Sequence, residues 1–149
     1  MKKWICILLL FSLSGCSNNE KAIVCSTVSQ DESTSIKLKY TYDNNKNITH
    51  IQKVIVVTFY ESTLQNTTLD IKYEELKEEY QKYDAIKGLI YALDMNEQEK
   101  QIQATIDVDL SQYDFKKDSF ELGKKEYYQD ITEVIEEINE LGYYRCEEV

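Results

Sequence analysis

The residues best placed to do chemistry are cysteines, and the first that matters is Cys16. It follows Leu13, Ser14 and Gly15 at the end of the only strongly apolar run in the chain. Leu-Ser-Gly-Cys has the form of a lipobox, where a bacterial signal peptide is cut ahead of a cysteine that then takes lipid. Ser14 and Gly15 are small enough for a peptidase cleft, and the Cys16 thiol is the lipid acceptor. The parts of a leader precede it in order. Lys2 and Lys3 give a positive start, and 4–13 is an apolar stretch too short to span a bilayer. The expectation is a lipoprotein signal peptide over 1–15, a lipidated Cys16 with a short polar linker over 16–21, and one domain over 22–149. The protein would then sit on the extracytoplasmic face of the cell membrane. Acyl chains hold it there by burying methylenes worth about 0.8 kcal/mol each. The five-residue linker reaches about 17 Å at full extension, which keeps the domain close to the bilayer.

Of the other cysteines, Cys6 leaves with the leader, while Cys25 and Cys146 remain near the two ends of the domain. In an exported protein such a pair reads as a disulfide, with two buried thiols as the alternative. Closing a loop of about 120 residues corresponds to about 4–5 kcal/mol of chain entropy. A metal centre is not expected, because structural zinc wants four ligands and His50 is the only histidine.

No stretch of the mature chain has a catalytic or cofactor pattern. His50 lies at the edge of a strand with no serine or cysteine in a nucleophile context. Asp43, Asn45 and Asn47 place oxygens at the first, third and fifth positions of a calcium loop. The sixth position should then be glycine and is Ile48, and the twelfth should be glutamate and is Val54, so the segment reads as a hairpin turn. Asp107 and Asp109 share one face of a strand and are the weak candidates for a cation. Glu133, Glu136, Glu137 and Glu140 crowd one helical face as like-charge pairs one turn apart, a pattern that suits a solvated surface. No cofactor is implied, and the chain reads as a non-enzyme.

Composition narrows the partners. The full chain carries a formal charge of −10, and removing the leader with its two lysines takes this to −12. That argues against nucleic acid and against anionic headgroups, which the charge would repel. The membrane, through the lipid on Cys16, is the first partner. A further envelope protein or a cell-wall component is the class that fits beside it.

These residues need elements to hold them. Ile36, Leu38, Tyr40 and Tyr42 alternate with polar residues, as a half-buried strand does. A strand from about 48 to 60 follows, and Val54-Ile55-Val56-Val57, apolar on both faces, predicts a central strand covered on both sides. Asn66-Thr67-Thr68 can cap a helix whose stripe is Leu69, Tyr73, Leu76, Tyr80 and Tyr83, ended by Gly88. Alternation over 89–95 and 102–110 predicts a second hairpin, and 111–123 reads as a loop. A last helix from about Tyr127 carries Ile131, Val134, Ile135, Ile138 and Leu141 and stops at Gly142, before a short strand near Cys146. The order β-β-β-α-β-β-α-β predicts an α+β domain: an antiparallel sheet of five to six strands with two amphipathic helices on one face.

Five places in this sequence resemble the YehR-like family of small bacterial lipoproteins, whose function is not established. They are the lipobox, Leu38-Lys39-Tyr40-Thr41-Tyr42, Tyr83-Asp84-Ala85-Ile86-Lys87-Gly88-Leu89, Ile106-Asp107-Val108-Asp109, and Leu141-Gly142-Tyr143-Tyr144. Ala85 stands where family members tend to have glycine, and the pair Cys25 and Cys146 matches a subset of them. The resemblance implies the α+β fold and the lipoprotein class, and it brings no catalytic residues. The functional expectation is a membrane-anchored, non-catalytic binding or envelope-associated module. A cation-responsive acidic domain or a cell-wall-acting enzyme are the alternatives.

Overall fold

A computed structural model describes residues 20–117, 120 and 122–149. The lipobox and Cys16 lie outside the described residues. The strands are β1 (Lys21–Val28), β2 (Thr34–Tyr42), β3 (Ile48–Thr58), β4 (Leu89–Asn96), β5 (Gln101–Asp109) and β6 (Arg145–Glu148). The helices are α1 (Leu69–Tyr80) and α2 (Ile131–Glu140), with short 3-10 turns at Gln81–Tyr83 and Lys125–Tyr128. All strand pairs are antiparallel, in the order β4-β5-β3-β2-β1-β6. The α+β architecture and element order are those predicted. The first and last strands are neighbours, so β6 is an edge strand whose strand partner among the described residues is β1.

Register sorts the side chains into rows. One row crosses all six strands on the inner face: Tyr91, Ile106, Lys53, Leu38, Cys25 and Cys146. The row beside it holds Leu89, Val108, Ile51, Tyr40 and Ile23. Side chains one residue out of step point to the opposite face, which is why the alternating segments read so clearly as strands. The outer face is largely polar, with Lys37, Lys39 and Asp94 exposed and Ile90 at 73% exposure.

Among the described residues the double cover predicted for β3 is not found. Both helices pack on the inner side, where Ile131, Val134 and Ile138 of α2 join the core and Tyr80 of α1 packs against it. Val54 and Val56 face outward and are only half-buried. Their β-branched stems are shielded by neighbouring strands rather than by a second layer, which a four-residue apolar run cannot reveal.

The two helices differ in how they bury themselves. Thr68 caps α1 by accepting from the Ile71 amide, yet no residue of α1 is fully buried. Its stripe of Leu69, Tyr73, Leu76 and Tyr80 is half-buried over the β4 edge of the sheet, where the Tyr73 hydroxyl donates to the Leu93 carbonyl. The helix ends at Tyr80, earlier than predicted, and Gly88 instead opens β4. Helix α2 begins at Ile131 rather than near Tyr127, because Asp130 caps it by accepting from the Thr132 amide. Its last predicted stripe residue, Leu141, lies past the helix and is exposed. Gly142 follows with φ +77°, the left-handed position that ends helices.

Since α1 stands at the β4 edge and α2 at the β6 edge, the centre of the sheet is covered by the connection after β5. Tyr113 is buried there, and Phe115, Phe120, Leu122 and Tyr128 pack against the core. The described residues of this connection form a loop, as predicted, but they do the work of a third covering element.

Acidic side chains tie down the turns. Asp31 accepts from Ser29 and Ser33, and those bonds hold its carboxyl at about 2. At Asp43 desolvation opposes ionisation, but bonds from Asn47 and Asn45 outweigh it and lower the value. The Thr132 amide lowers Asp130, and Ser111 with Gln112 lowers Asp109 against some desolvation. Depressed carboxyls stabilise the fold above their unfolded value of about 4, and that stability fades as pH falls through the folded values. The melting temperature should therefore be nearly flat between about pH 5 and 8 and fall steadily below about pH 4. A melting temperature unchanged down to about pH 2 would contradict these roles.

Candidate functional site

The gap between the two helices leaves a cleft of about 350 Å³ over β2, β3 and β5. Its floor is Leu38, Tyr40, Ile51, Ile106 and Val108 of the sheet, with Lys53 among them. Tyr83 from the turn after α1 and Phe120, Leu122 and Tyr128 from the covering loop make the walls. The walls are built from aromatic contacts. Tyr83 and Phe120 meet edge to face at 5.1 Å, and Tyr113 meets Phe115 at 4.9 Å. Such edge-to-face pairs add about 0.5–1.5 kcal/mol beyond area burial. Two hydroxyls fix the loop: Tyr128 donates to the Leu122 carbonyl at 2.7 Å, and Tyr113 accepts from the Phe120 amide at 3.0 Å.

Lys53 is the anomaly. It occupies an inner-face position in the third of six strands, flanked in its row by Leu38 and Ile106. Among the described residues the tyrosine hydroxyls are the polar side-chain oxygens of the buried core, no charged side chain is fully buried, and Lys53, half-buried, is the one cation in that row. No ion pair or hydrogen bond to its amine is present among the described residues. The buried Tyr40 hydroxyl beside it is held above its ordinary pKa, first by desolvation and then by Tyr128 and Tyr144, so it stays a neutral donor. An apolar floor with one cation and one neutral hydroxyl can hold a molecule that is mostly apolar and carries a small anionic head.

A larger depression of about 440 Å³ lies between the β2–β3 turn and the start of α2. Its charges are of both signs, with Lys21 and Lys46 facing Asp43, Glu136 and Glu148. Lys46 donates to Thr132, and Asp43 is committed to its own turn, so this surface lacks a single chemical character.

Cys25 and Cys146 face each other across the β1–β6 pair and form a disulfide. Asp107 and Asp109 lie on the outer face, as their spacing predicts. Each is engaged locally: Asp107 accepts from Gln52, and Asp109 accepts from Ser111 and Gln112. His50 pairs in register with Asp109 and contacts Thr49, its neighbour. Among the described residues no three His, Cys, Asp or Glu side chains are grouped to hold a metal ion. The glutamates of α2 are exposed, away from the cleft.

Two solved structures share this arrangement. A protein of Streptococcus pneumoniae TIGR4, determined by NMR, superposes with a TM-score of 0.63 over 99% of this chain and 96% of its own, at 12% identity. The YehR protein of Escherichia coli, also determined by NMR, superposes with a TM-score of 0.54 over 67% of each chain, at 21% identity. The fold is YehR-like. No family model and no curated protein matches the chain. At these identities the likeness concerns the fold alone.

Sequence reasoning missed Lys53. The signal was present in the strand parity: Ile51, Lys53, Ile55 and Val57 alternate on one face, so a lysine at the second place breaks an apolar row. The adjacent run of Val54 to Val57 hid the break, because an apolar run has no parity of its own.

Proposed function

We propose that the protein is a lipid-anchored extracytoplasmic lipoprotein, a non-catalytic binding module that presents the Lys53 cleft close to the membrane. The observation that carries this reading is the Cys25–Cys146 disulfide, since such bonds persist in oxidising compartments outside the cytoplasm. It agrees with the lipobox at Cys16. Strand β1 starts at Lys21, five residues past Cys16, so the sheet hangs from the lipid by a reach of about 17 Å at most. No described helix is long and apolar enough to cross a membrane, so the lipid would be what holds this domain. The binding role rests on the cleft. It combines an apolar floor with an amine that has no partner among the described residues, while the acidic pair and His50 are tied to their neighbours. The test of the anchor is Cys16→Ser. Cells expressing the wild type should incorporate palmitate label into the protein, and the variant should take up none and retain 1–15. A variant that still loses its leader and takes label would sink the reading.

A further inference from the structure

We propose that the cleft over β2, β3 and β5 binds a single alkyl chain ending in an anion, with Lys53 pairing the anionic head. The proposal rests on the reading of that cleft as the binding site and names the ligand class. Three observations carry it. First, Lys53 stands at an inner-face position where the row on either side is apolar. A lysine there gives up side-chain freedom and hydration without a partner among the described residues, and an apolar residue would serve the fold better. Positions where a chain breaks a local packing rule are the positions to examine for function. Second, the cleft is about 350 Å³, near the small end of ligand sites. That has room for one chain of medium length and not for a two-chain lipid. Third, its other lining groups are aliphatic and aromatic, with the Tyr40 hydroxyl as a neutral second donor.

Binding divides between the two parts of such a ligand. The alkyl chain supplies affinity by leaving water, about fourfold per methylene until the cleft is full. Lys53 supplies selectivity for a charged head over a neutral one. The net charge of the chain does not attract anions, so the local amine and not the overall field must do the selecting. Carboxylate and phosphate heads share this chemistry, and the test separates them.

The experiment uses the full chain in its own membrane with two photoreactive probes, a diazirine-bearing decanoate and the matching decanol. The decanoate should label peptides carrying Ile106, Phe120 or Leu122, and more strongly than the alcohol. In Lys53→Met the decanoate labelling should fall about tenfold or more while the alcohol labelling stays, because a charge-assisted bond is lost and the apolar floor is kept. The variant should also melt at a higher temperature than the wild type, which shows that it folds and that the lysine is kept at a cost to stability. Competition by free decanoate against decyl phosphate then names the head, the stronger competitor being the favoured one. Equal labelling by acid and alcohol, or decanoate labelling unchanged in Lys53→Met, would overturn the anion assignment while leaving the cleft as a site. Labelling by neither probe would overturn the cleft reading itself.

Discussion

Replacing Cys25 and Cys146 together by alanine should lower stability by about 4 kcal/mol and the melting temperature by roughly 12–20 °C. The disulfide spans 121 positions of sequence and ties the first strand to the last. Opening so long a loop restores much freedom to the unfolded chain. The folded state also has little else to hold β6. The strand is four residues long, lies at the sheet edge, and among the described residues has β1 as its one strand partner. Cys25 is completely buried, and alanine keeps the site apolar, so the loss reports the cross-link rather than a misplaced hydroxyl. Calorimetry or urea titration of the oxidised wild type and the double variant measures it. A change below about 1 kcal/mol would mean that α2 and β6 dock without the bond, and that the disulfide marks the compartment without supporting the fold.

Gly88→Ala should cost about 2–4 kcal/mol, from strain and overlap together. Gly88 has φ +81°, which an L side chain adopts at a penalty. A Cβ there would lie 2.8 Å from the Tyr113 amide nitrogen, 2.9 Å from the Asp109 carbonyl oxygen and 2.9 Å from the Gln112 carbonyl carbon. All three are backbone atoms and cannot swing aside. The Asp109 amide also donates to the Gly88 carbonyl at 2.8 Å, so the end of β5 clamps the start of β4 at this residue. The damage should spread to the cleft, because the same turn carries Tyr113, whose hydroxyl holds the Phe120 wall. Gly142→Ala is the control. Its φ is +77°, but a Cβ would meet nothing within 4 Å, so it should cost about 1–2 kcal/mol from conformation alone. Equal losses for the two variants would show that backbone overlap at Gly88 is relieved cheaply.

How far these features were legible in the sequence depended on whether a residue's role was periodic. The strands could be read because alternation is forced on any half-buried strand, and 102–110 shows it at every position. The cap at Thr68 and the stop at Gly142 follow local rules that tertiary structure leaves in place, whereas sequence reasoning missed the Asp130 cap and put the helix start near Tyr127. The pairing of Cys25 with Cys146 was suggested by counting cysteines, but their places directly across the β1–β6 ladder emerge only from topology. The covering loop was opaque. Tyr113, Phe115, Phe120, Leu122 and Tyr128 have irregular spacing, and what places them is the gap between helices standing over opposite sheet edges. Lys53 became conspicuous only once that gap was seen to open above it. The acidic pair shows the converse. Asp107 and Asp109 do share a face, but spacing could not reveal that Gln52, Ser111 and Gln112 already occupy their oxygens.

We propose a disulfide-closed binding domain hung from the outer surface of a membrane by Cys16. Intact-mass spectrometry of the protein extracted from cell membranes without reductant tests it most directly. The chain should begin at Cys16, heavier than 16–149 by its acyl groups and lighter by the two hydrogens that the Cys25–Cys146 bond removes. A mass that includes the leader, or one with no acyl group on Cys16, would contradict the anchored reading. Alkylation of Cys25 and Cys146 without prior reduction would contradict the closed domain.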